Sequence, residues 1–344
     1  MNNLPAALRE QAMHCGRLGS PFMEQMLTEL ADHWPNDGEI VTLLNTWPAE
    51  DIGPGGASLP LRLAGGLHAL VLSGQAPELA AVYPPNDIGP DLIPMILKTL
   101  DTHQAFLNDW LQHAPQTNEL RRSAALIPAA LWLSETFGLP FVLSELGASG
   151  GLNLMFDRYA LDINAKRFGA LDAVLTLVPD WQGPLPANAP ILVAERRGTD
   201  LNPLNPQDVD DALRMTAYLW ADQPDRIART RAAMAVTPQI VDQADAADWL
   251  ETRLAQTHPG HCHMLFHTVA WQYFPKPVQA RARDMIHAAG AKATSRAPLA
   301  WVSMENDGSA DGAALQMTVW PGGKTHDLGR ADFHGRWVRW MAPQ

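Results

Sequence analysis

The chain has 344 residues, 47% of them hydrophobic, and a formal net charge of -12 at pH 7. This length allows about two domains, or one large domain with a cap. The negative charge argues against a protein that binds nucleic acid through a broad basic surface. No apolar run approaches the roughly 18 residues of a membrane span, and the first residues lack the apolar core of a signal peptide. We therefore expect a cytoplasmic protein that acts on a small molecule, with neither nucleic acid nor membrane as a partner.

The first third of the chain carries apolar residues at helical spacing. Segments such as "SPFMEQMLTELADHW" and "LPLRLAGGLHALVLSG" place apolar side chains on one helical face. Ser20 is placed to cap the first of these helices, and Pro21 occupies its first position. No stretch before residue 140 has the pattern of a strand. We expect an all-helical cap domain over residues 1–114.

From residue 141 onwards, short β-rich runs alternate with helical segments. The runs are "PFVLSEL", "APILVAERRGTD", "PQIVDQAD", "CHMLFHTV" and "APLAWVSMEND", followed by two strands around the turn at 321–323. Such alternation predicts βαβ units and a parallel sheet. Residues 159–190 interrupt it, and we expect an insertion with a hairpin there. The predicted fold class is α/β: a mostly parallel sheet of seven strands over residues 115–344, with the helical cap domain before it.

The glycine turn in "FVLSELGASGGLNL" (141–154) permits two interpretations. It matches G-x-S-x-G, in which Ser149 would be the nucleophile of a serine hydrolase, with Asp307 or Asp311 and His326 or His334 as its partners. An α/β-hydrolase sheet, however, has several strands before the nucleophile, and here that region is predicted to be helical. We therefore favour the second interpretation, in which the turn binds a nucleotide-type ligand.

Polar residues follow four consecutive predicted strands. The first strand ends at Glu145, the second at Asp200, the third at Asp245, and the fourth at His267 and Thr268. Ligands of open α/β sheets bind at the carboxyl ends of the strands. A carboxylate at Asp200 suits the two hydroxyls of a ribose, and one at Asp245 suits an adenine amino group. The pattern therefore indicates an adenosyl ligand across these strand ends.

The same pattern resembles the class I S-adenosylmethionine-dependent methyltransferases, and this resemblance implies a Rossmann-like, seven-stranded methyltransferase-type sheet over residues 115–344. The resemblance is carried by "ELGASGG", "GTDLNP" and "DQADAADWL". It implies S-adenosylmethionine as the cofactor and a set of cofactor-binding residues: Glu145, Gly147, Ser149, Gly150, Gly151, Asn153, Asp200, Leu201, Asp245 and Ala246. It also implies that the end of the fourth strand faces the transferred methyl group, with His267 as the catalytic base.

Two segments beside these strand ends supply candidate substrate contacts. They are "PQTNELRRSAAL", with Asn118, Arg121 and Arg122, and "FHTVAWQYF", with Thr268, Trp271 and Tyr273. An arginine at such a site can hold a carboxylate through two hydrogen bonds, although a helix cap with solvent-facing charges is an equal alternative. The two aromatic residues would line an apolar substrate pocket.

Two departures from the methyltransferase pattern leave alternatives open. Asp200 lies much further from the glycine turn than the roughly 20 positions usual for such a step, so Asp162 in the insertion is a second candidate for the ribose. The fourth strand also lacks an N-P-P-Y tetrad. A protein that binds an adenosyl ligand without catalysis is therefore an alternative to the enzyme.

The stretch "HPGHCHMLFH" (258–267) gathers histidines and Cys262, which suggests a zinc site. Because no second group of ligands is spaced for such a site, we expect no metal. His263 and His267 would share one face of the fourth strand.

The whole chain further resembles an uncharacterised bacterial family, a domain of unknown function. That resemblance is carried by "GSPF", "LRLAGGLHALVLSG", "PQTNELRRSAAL", "RRGTDLNP" and "WPGG", and it covers nearly the full length. It leaves the methyl acceptor and the oligomeric state open.

Overall fold

The computed structural model of the chain describes residues 3–48, 50–53 and 56–343. The α-helices are α1 (Leu4–Arg17), α2 (Pro21–Asp32), α3 (Glu39–Asn45), α4 (Leu59–Leu72), α5 (Pro77–Ala80), α6 (Leu92–Thr102), α7 (Gln104–Leu111), α8 (Ser123–Phe137), α9 (Val209–Ala217), α10 (Pro224–Val236), α11 (Ala246–Ala255) and α12 (Lys276–Gly290). Short 3₁₀-helices cover Leu120–Arg122, Leu152–Arg158 and Trp271–Tyr273. The strands are β1 (Phe141–Leu146), β2 (Tyr159–Ile163), β3 (Lys166–Gly169), β4 (Leu175–Leu177), β5 (Asp180–Gln182), β6 (Val193–Asp200), β7 (Val241–Gln243), β8 (Cys262–Thr268), β9 (Leu299–Glu305), β10 (Ala313–Trp320), β11 (Lys324–Ala331) and β12 (Trp337–Trp340).

The chain divides into two compact units. One comprises Met1–Thr117 and Asp208–Arg231, and the other comprises Asn118–Gln207 and Ala232–Gln344. Every strand lies in the second unit, so the expectation of a helical region before residue 140 is confirmed for the described residues.

The helical unit is assembled from two separate parts of the chain. Ser20 caps α2 as expected, since its Oγ accepts a hydrogen bond from the Met23 amide at 3.2 Å. Asp222, from the second part, accepts hydrogen bonds from Ser20 Oγ at 2.6 Å and from the Phe22 amide at 3.0 Å. Trp220 packs into the same core as the apolar faces of α1, α2 and α4. Residues 208–231 are therefore bound into this unit by both polar and apolar contacts.

The second unit contains a nine-stranded, mostly parallel sheet in the order β5-β12-β11-β10-β9-β8-β1-β6-β7. The strands β7, β6, β1, β8 and β9 are parallel to one another, whereas the pairs β9–β10, β10–β11 and β11–β12 are antiparallel. The sheet has nine strands rather than the seven expected. The additional strands are β5 and β12, which have three and four residues and are too short to show a strand period in the sequence. They pair with each other in parallel at the end of the sheet.

Three strands of the insertion form a separate sheet, whereas β5, also within residues 159–190, belongs to the large sheet. The hairpin expected there is present as β2 and β3, and β4 adds in parallel on the other side of β2. Asp162 lies on β2 opposite Arg167 of β3, and the two side chains form an ion pair with N···O distances of 2.9 and 3.0 Å.

The strand order places β1 at the point where the chain changes direction across the sheet. From β1 the chain passes to β6 and β7 on one side, and it then crosses to β8 and β9 on the other. In open α/β sheets such a reversal leaves a crevice at the carboxyl ends of the central strands, where ligands bind. The residues at the ends of β1, β6, β8 and β9 therefore lie where such a ligand site is expected.

Candidate functional site

The register of the parallel strands brings the predicted residues to one edge of the sheet. Glu145 on β1 lies beside Gly198 of β6 on one side and Phe266 of β8 on the other. Asp200 and His267 follow those neighbours by two residues and one residue along their strands. The carboxyl ends of β1, β6 and β8 therefore meet where the sequence analysis predicts a ligand.

The turn after β1 is built from left-handed backbone. Gly147, Ser149 and Gly151 have φ values of +69°, +52° and +74°. The amides of Gly147 and Ala148 both donate to the Thr199 carbonyl oxygen, at 2.9 and 3.0 Å, which fixes the turn against β6. Such a conformation is strained for a residue with a β-carbon, and glycine occupies two of these three positions.

Gly147 is also required by packing. A β-carbon at this position would lie 2.5 Å from Cβ of Ala270, in the turn after β8. That distance is far shorter than van der Waals contact, so the two turns touch through Gly147. The residue joins the end of β1 to the end of β8.

Asp200 links the glycine turn to β6. Its Oδ2 accepts a hydrogen bond from the Ser149 amide at 2.9 Å, and its Oδ1 accepts one from the Asn202 amide at 3.0 Å. Asp162, the second candidate for the ribose, lies in the three-stranded sheet with Arg167. Of the two acids, the structure places Asp200 at the glycine turn.

Glu145 is buried and incompletely hydrogen-bonded. Its side chain is 1% exposed, and its Oε2 has no hydrogen-bond partner among the described residues. Burial raises the pKa of Glu145 well above its ordinary value; the positive charge of Arg122 opposes this rise, and the negative charge of Asp200 adds to it. A buried carboxyl group without a full set of partners is costly for the fold. A ligand with a positive charge or hydrogen-bond donors would supply what Glu145 lacks.

The segment 118–122 is tied to the site by its own side chains. Asn118 Oδ1 accepts from the Leu152 amide at 2.9 Å, directly after the glycine turn. Arg122 donates to the carbonyl oxygens of Thr268 and Phe333, both at 3.0 Å. Asn118 and Arg122 therefore hold strand ends together, and Arg122 adds positive charge near Glu145. Arg121 is partly exposed, and its amide donates to Glu119 Oε1 at 3.2 Å.

Asn153 is buried below the glycine turn. Its Oδ1 accepts from Ser123 Oγ at 2.8 Å, and its Nδ2 donates to the Glu119 carbonyl oxygen at 3.4 Å. These contacts connect the turn to α8. Gly150 is buried within the same turn.

The remaining predicted residues have more varied surroundings. Asp245 caps α11, since its Oδ1 accepts from the amides of Ala247 and Asp248 at 2.8 and 3.3 Å. Ala246 is buried in the apolar core beside it. Leu201 and Tyr273 are 69% and 73% exposed, and nothing in the structure gives either a defined role.

His267 uses both ring nitrogens inside the protein. Its Nδ1 lies 2.7 Å from Glu305 Oε1, and Trp301 Nε1 lies 3.0 Å from its Nε2. Because an indole N–H only donates, Nε2 must accept, and the hydrogen on Nδ1 is donated to Glu305. The ring also stacks on Trp271 at 4.8 Å between centroids. His267 could take a proton from a substrate only if Trp301 moved away.

Glu305, at the end of β9, is a site residue that the sequence analysis missed. Its Oε1 accepts hydrogen bonds from His267 Nδ1 and from the amides of Ala270 and Trp271, the last two at 3.0 and 3.1 Å. Its Oε2 is buried and has no partner among the described residues. Burial by itself would raise the pKa of Glu305, but the bonds from His267 and the two amides outweigh it and lower the pKa. Glu305 is therefore a carboxylate with one oxygen fixed and one oxygen unused.

A signal for Glu305 was present in the sequence. "APLAWVSMEND" was identified as the fifth strand, and Glu305 is the last residue of β9. Because ligands bind at the carboxyl ends of strands, the end of this fifth strand is a further position where a site residue is expected.

The hydrolase interpretation lacks its base. In the part of the chain that the structure describes, Ser149 Oγ is buried and no hydrogen-bond partner is found for it. Asp307 pairs with Arg330 at 2.9 Å, and His326 packs on Trp132 with 5.3 Å between ring centroids. His334 lies 3.6 Å from Glu119. A serine nucleophile needs a base within hydrogen-bond reach, and these residues have partners elsewhere.

Two further properties of the described residues bear on ligands. Nowhere in the ranges that the structure describes do three or more His, Cys, Asp or Glu side chains come together so that they could hold a metal ion. Among the same residues, every helix is too short or too polar to cross a bilayer.

The chain belongs to the bacterial family described as "Uncharacterized protein conserved in bacteria (DUF2332)", whose model matches residues 5–340. No curated protein and no solved structure matches the chain significantly.

Proposed function

We propose that the chain binds S-adenosylmethionine at the carboxyl ends of β6, β1 and β8 and transfers its methyl group to a small molecule. The observation that carries this proposal is Glu145: a buried carboxyl group with an unpartnered oxygen, beside a left-handed glycine turn, at the point where the strand order reverses. When bound, S-adenosylmethionine supplies an electrophilic methyl group on a positively charged sulfur.

The residues at this edge fit the chemical groups of that cofactor. Asp200 is held at the glycine turn, where a carboxylate can accept hydrogen bonds from ribose hydroxyls. Asp245 Oδ1 caps α11, which leaves Oδ2 for an adenine amino group. Glu145 offers a negative charge and a hydrogen-bond acceptor to the amino group or the charged sulfur.

Binding of a cation would change the protonation of Glu145. Burial raises the pKa of this carboxyl group and so favours its neutral form in the free protein. A positive charge nearby favours the ionised form. Glu145 is thus expected to release a proton when the cationic cofactor binds.

We assign the acceptance of the substrate proton to Glu305 rather than to His267. Bound S-adenosylmethionine would supply a methyl carbon that exchanges its bond to sulfur for a bond to a lone pair of the substrate. S-adenosylhomocysteine would be the leaving group, and the attacking atom would have to lose its proton. Glu305 Oε2 has no partner among the described residues, and the hydrogen bonds to Oε1 keep the group ionised, so Oε2 can accept that proton. His267 donates to the other oxygen and holds the carboxylate in place. In this role His267 is a positioning residue.

The turn after β8 connects the two halves of this arrangement. Ala270 packs against Gly147 of the glycine turn, and its amide donates to Glu305 Oε1. A change in the glycine turn is therefore passed by direct contact to the carboxylate that would receive the proton.

Isothermal titration calorimetry with S-adenosylmethionine and S-adenosylhomocysteine tests the binding. We expect dissociation constants in the micromolar range, about -8 kcal/mol. Asp200→Ala should weaken both ligands by about 10- to 100-fold, because a hydrogen-bonded charged group contributes about 1.5–3 kcal/mol. Glu145→Gln should weaken S-adenosylmethionine more than S-adenosylhomocysteine, since only the former carries the positive sulfur.

Asp162→Ala is the matched control, because it removes an exposed acid from the three-stranded sheet. It should leave both affinities unchanged. Failure of either ligand to bind would contradict the proposal. Binding without methylated product from any acceptor in a metabolite extract would reduce it to the binding of an adenosyl ligand.

A further inference from the structure

A cavity lies at the amino ends of the parallel strands, away from the carboxyl ends that would bind the cofactor. It has a volume of about 130 Å³ and is formed by the chain after α11, the start of β8, and the segment between α12 and β9. The start of β8 is its amino end, since Cys262 lies beside Phe141 at the beginning of β1. A water molecule needs only about 10–15 Å³ of such volume, so there is room for a small ligand.

The polar lining of this cavity is basic. His258, His261, His263 and Lys292 contribute to its wall, and none of the residues that line it in the described chain is acidic. This composition contrasts with a chain whose formal net charge is -12. A cavity that gathers basic groups without a carboxylate suits a negatively charged ligand.

His263 is fixed as a hydrogen-bond donor. Arg253 Nε donates to Ser144 Oγ at 2.8 Å, and Ser144 Oγ lies 2.8 Å from His263 Nε2. A guanidinium only donates, and the described residues offer the buried Ser144 hydroxyl no other acceptor, so its hydrogen is directed to Nε2 of His263. The ring hydrogen of His263 is therefore on Nδ1. Burial, together with the charge of Arg253 and the neighbouring His258, lowers the pKa of His263 to about 3, so the ring stays neutral and keeps this one donor.

His258 has a nitrogen without a partner. Its ring meets that of His263 edge-on, with 5.1 Å between centroids, and its Nε2 is buried with no hydrogen-bond partner among the described residues. Burial lowers the pKa of His258, as do Arg253 and His261, whereas Glu195 raises it. Glu195 forms an ion pair with Arg253, so the groups facing His258 have no spare negative charge to offer it. An anion in the cavity would provide one.

We propose that this cavity is a binding site for a small oxyanion of the phosphate type, held by the Nδ1 hydrogen of His263, by His258 and by Lys292. The basic side chains of His258 and Lys292 and the Nδ1 donor of His263 match the oxygens of such an ion. A metal is not the occupant, because the described histidines, cysteines and acids form no group that could hold one. The site is separate from the strand ends that would bind the cofactor. The proposal of an oxyanion site therefore does not depend on the proposed methyl transfer.

Binding should be coupled to proton uptake by His258. A negative ligand favours the protonated imidazole, so affinity should rise as the pH falls. If one proton is taken up, the affinity changes by at most about tenfold per pH unit. Sulfate is the suitable probe, because its own charge does not change over the pH range in which histidine titrates.

The test is calorimetric titration of the full-length protein with sodium sulfate at pH 6 and pH 8, with chloride at equal ionic strength as the reference. We expect saturable binding that is tighter at pH 6. His258→Gln should weaken it by about tenfold and remove most of its pH dependence. Lys292→Met should weaken it at both pH values. Lys276→Met, which removes another exposed lysine at the start of α12, should have no effect.

Lys292 is exposed, so its variant is expected to fold normally and keeps the test valid even if the His258 variant does not. The proposal would be overturned by the absence of saturable sulfate binding at pH 6, or by binding that Lys292→Met and His258→Gln leave unchanged. Equal binding of sulfate and phosphate would indicate a site for the oxyanion itself.

Discussion

Glu145 and Glu305 are both buried at the same edge of the sheet, but their surroundings shift their pKa values in opposite directions. Burial dominates at Glu145 and raises its pKa, because its Oε2 has no partner among the described residues. Hydrogen bonds from His267 and two amides lower the pKa of Glu305 in spite of burial. Pairs of acids with pKa values driven apart are typical of sites where one group accepts protons and the other stays neutral.

These shifts make opposite contributions to stability as the pH changes. The folded chain holds the proton of Glu145 above the ordinary pKa of 4.5, so this group's contribution is lost as the pH rises through the folded pKa. Glu305 contributes above the same ordinary value and loses its contribution as the pH falls through its lowered pKa. Glu145→Gln should therefore stabilise the protein progressively as the pH rises, with a slope of at most about 1.4 kcal/mol per pH unit.

Urea unfolding of wild type, Glu145→Gln and Glu305→Gln between about pH 3 and 8 measures both effects. Relative to wild type, Glu305→Gln should become more destabilising as the pH rises toward the ordinary pKa of 4.5, and the difference should stay constant above it. Parallel pH profiles for all three proteins would contradict the assignment of the two acids.

His267 is expected to contribute strongly to stability whether or not the protein is an enzyme. His267→Ala removes the donor to Glu305 and the acceptor for Trp301, so two buried polar groups lose a partner. The free energy of unfolding should fall by about 3 kcal/mol. His287→Ala, which removes an exposed ring that also touches Trp301, should cost less than about 1 kcal/mol. Equal losses in the two variants, measured by chemical denaturation, would argue against the fixed arrangement.

At the scale of elements, the turns after β1 and β8 act together. Gly147 has a left-handed backbone, and the space beside its Cα is occupied by Ala270. Ala270 in turn supplies an amide to Glu305. The glycine turn is therefore a packing junction between strand ends, in addition to any role in binding a ligand.

A comparison of Gly147→Ala with Gly74→Ala separates the free-energy cost of the packing clash from the cost of backbone strain. Gly74 has a similar φ of +73°, but a β-carbon there would meet nothing within 4 Å. Gly74→Ala should cost about 1 kcal/mol of strain, whereas Gly147→Ala should cost about 1–3 kcal/mol more because of the clash with Ala270. Thermal denaturation of both variants checks the difference. The double variant Gly147→Ala/Ala270→Gly should recover part of the loss, and a failure to recover any would point to strain alone.

The sequence was most informative where an element has a regular pattern. The strands β1 and β8 could be located because each is a buried apolar run that ends in polar residues. The strand β6 is only partly buried, but it begins within the apolar run "PILVA" and ends at Asp200, so Glu145 and Asp200 could both be placed at strand ends. The partners of His267 could not be foreseen, since Trp301 and Glu305 are brought to it by β9, a separate strand. The strands β5 and β12 could not be predicted either, because they are too short to show the alternating pattern of a strand.

At the scale of the whole molecule, the helical unit depends on two distant parts of the chain. Residues 208–231 supply Met215, Tyr218, Leu219 and Trp220, all of which are buried, and Asp222, which binds the start of α2. Sequence order alone does not reveal this, because helical periodicity indicates a buried face but not the element that covers it.

A chain that begins at Asn118 is therefore expected to aggregate. Without residues 1–117 these four side chains would lose the surroundings that bury them, and exposed apolar patches promote association. Size-exclusion chromatography of 118–344 should show aggregates, and co-expression of 1–117 should restore a discrete, stable species. A monomeric 118–344 with the thermal stability of the full chain would contradict this description of the unit.

The most direct test of the central claim is a crystal structure of the protein with S-adenosylhomocysteine. We expect the ligand across the ends of β6, β1 and β8, with its ribose hydroxyls within hydrogen-bond distance of Asp200 and its amino acid portion near Glu145. Glu305 Oε2 should remain open toward the side of the ligand's sulfur. A ligand bound elsewhere, or no ligand at a concentration that saturates known methyltransferases, would show that this edge of the sheet is not a cofactor site.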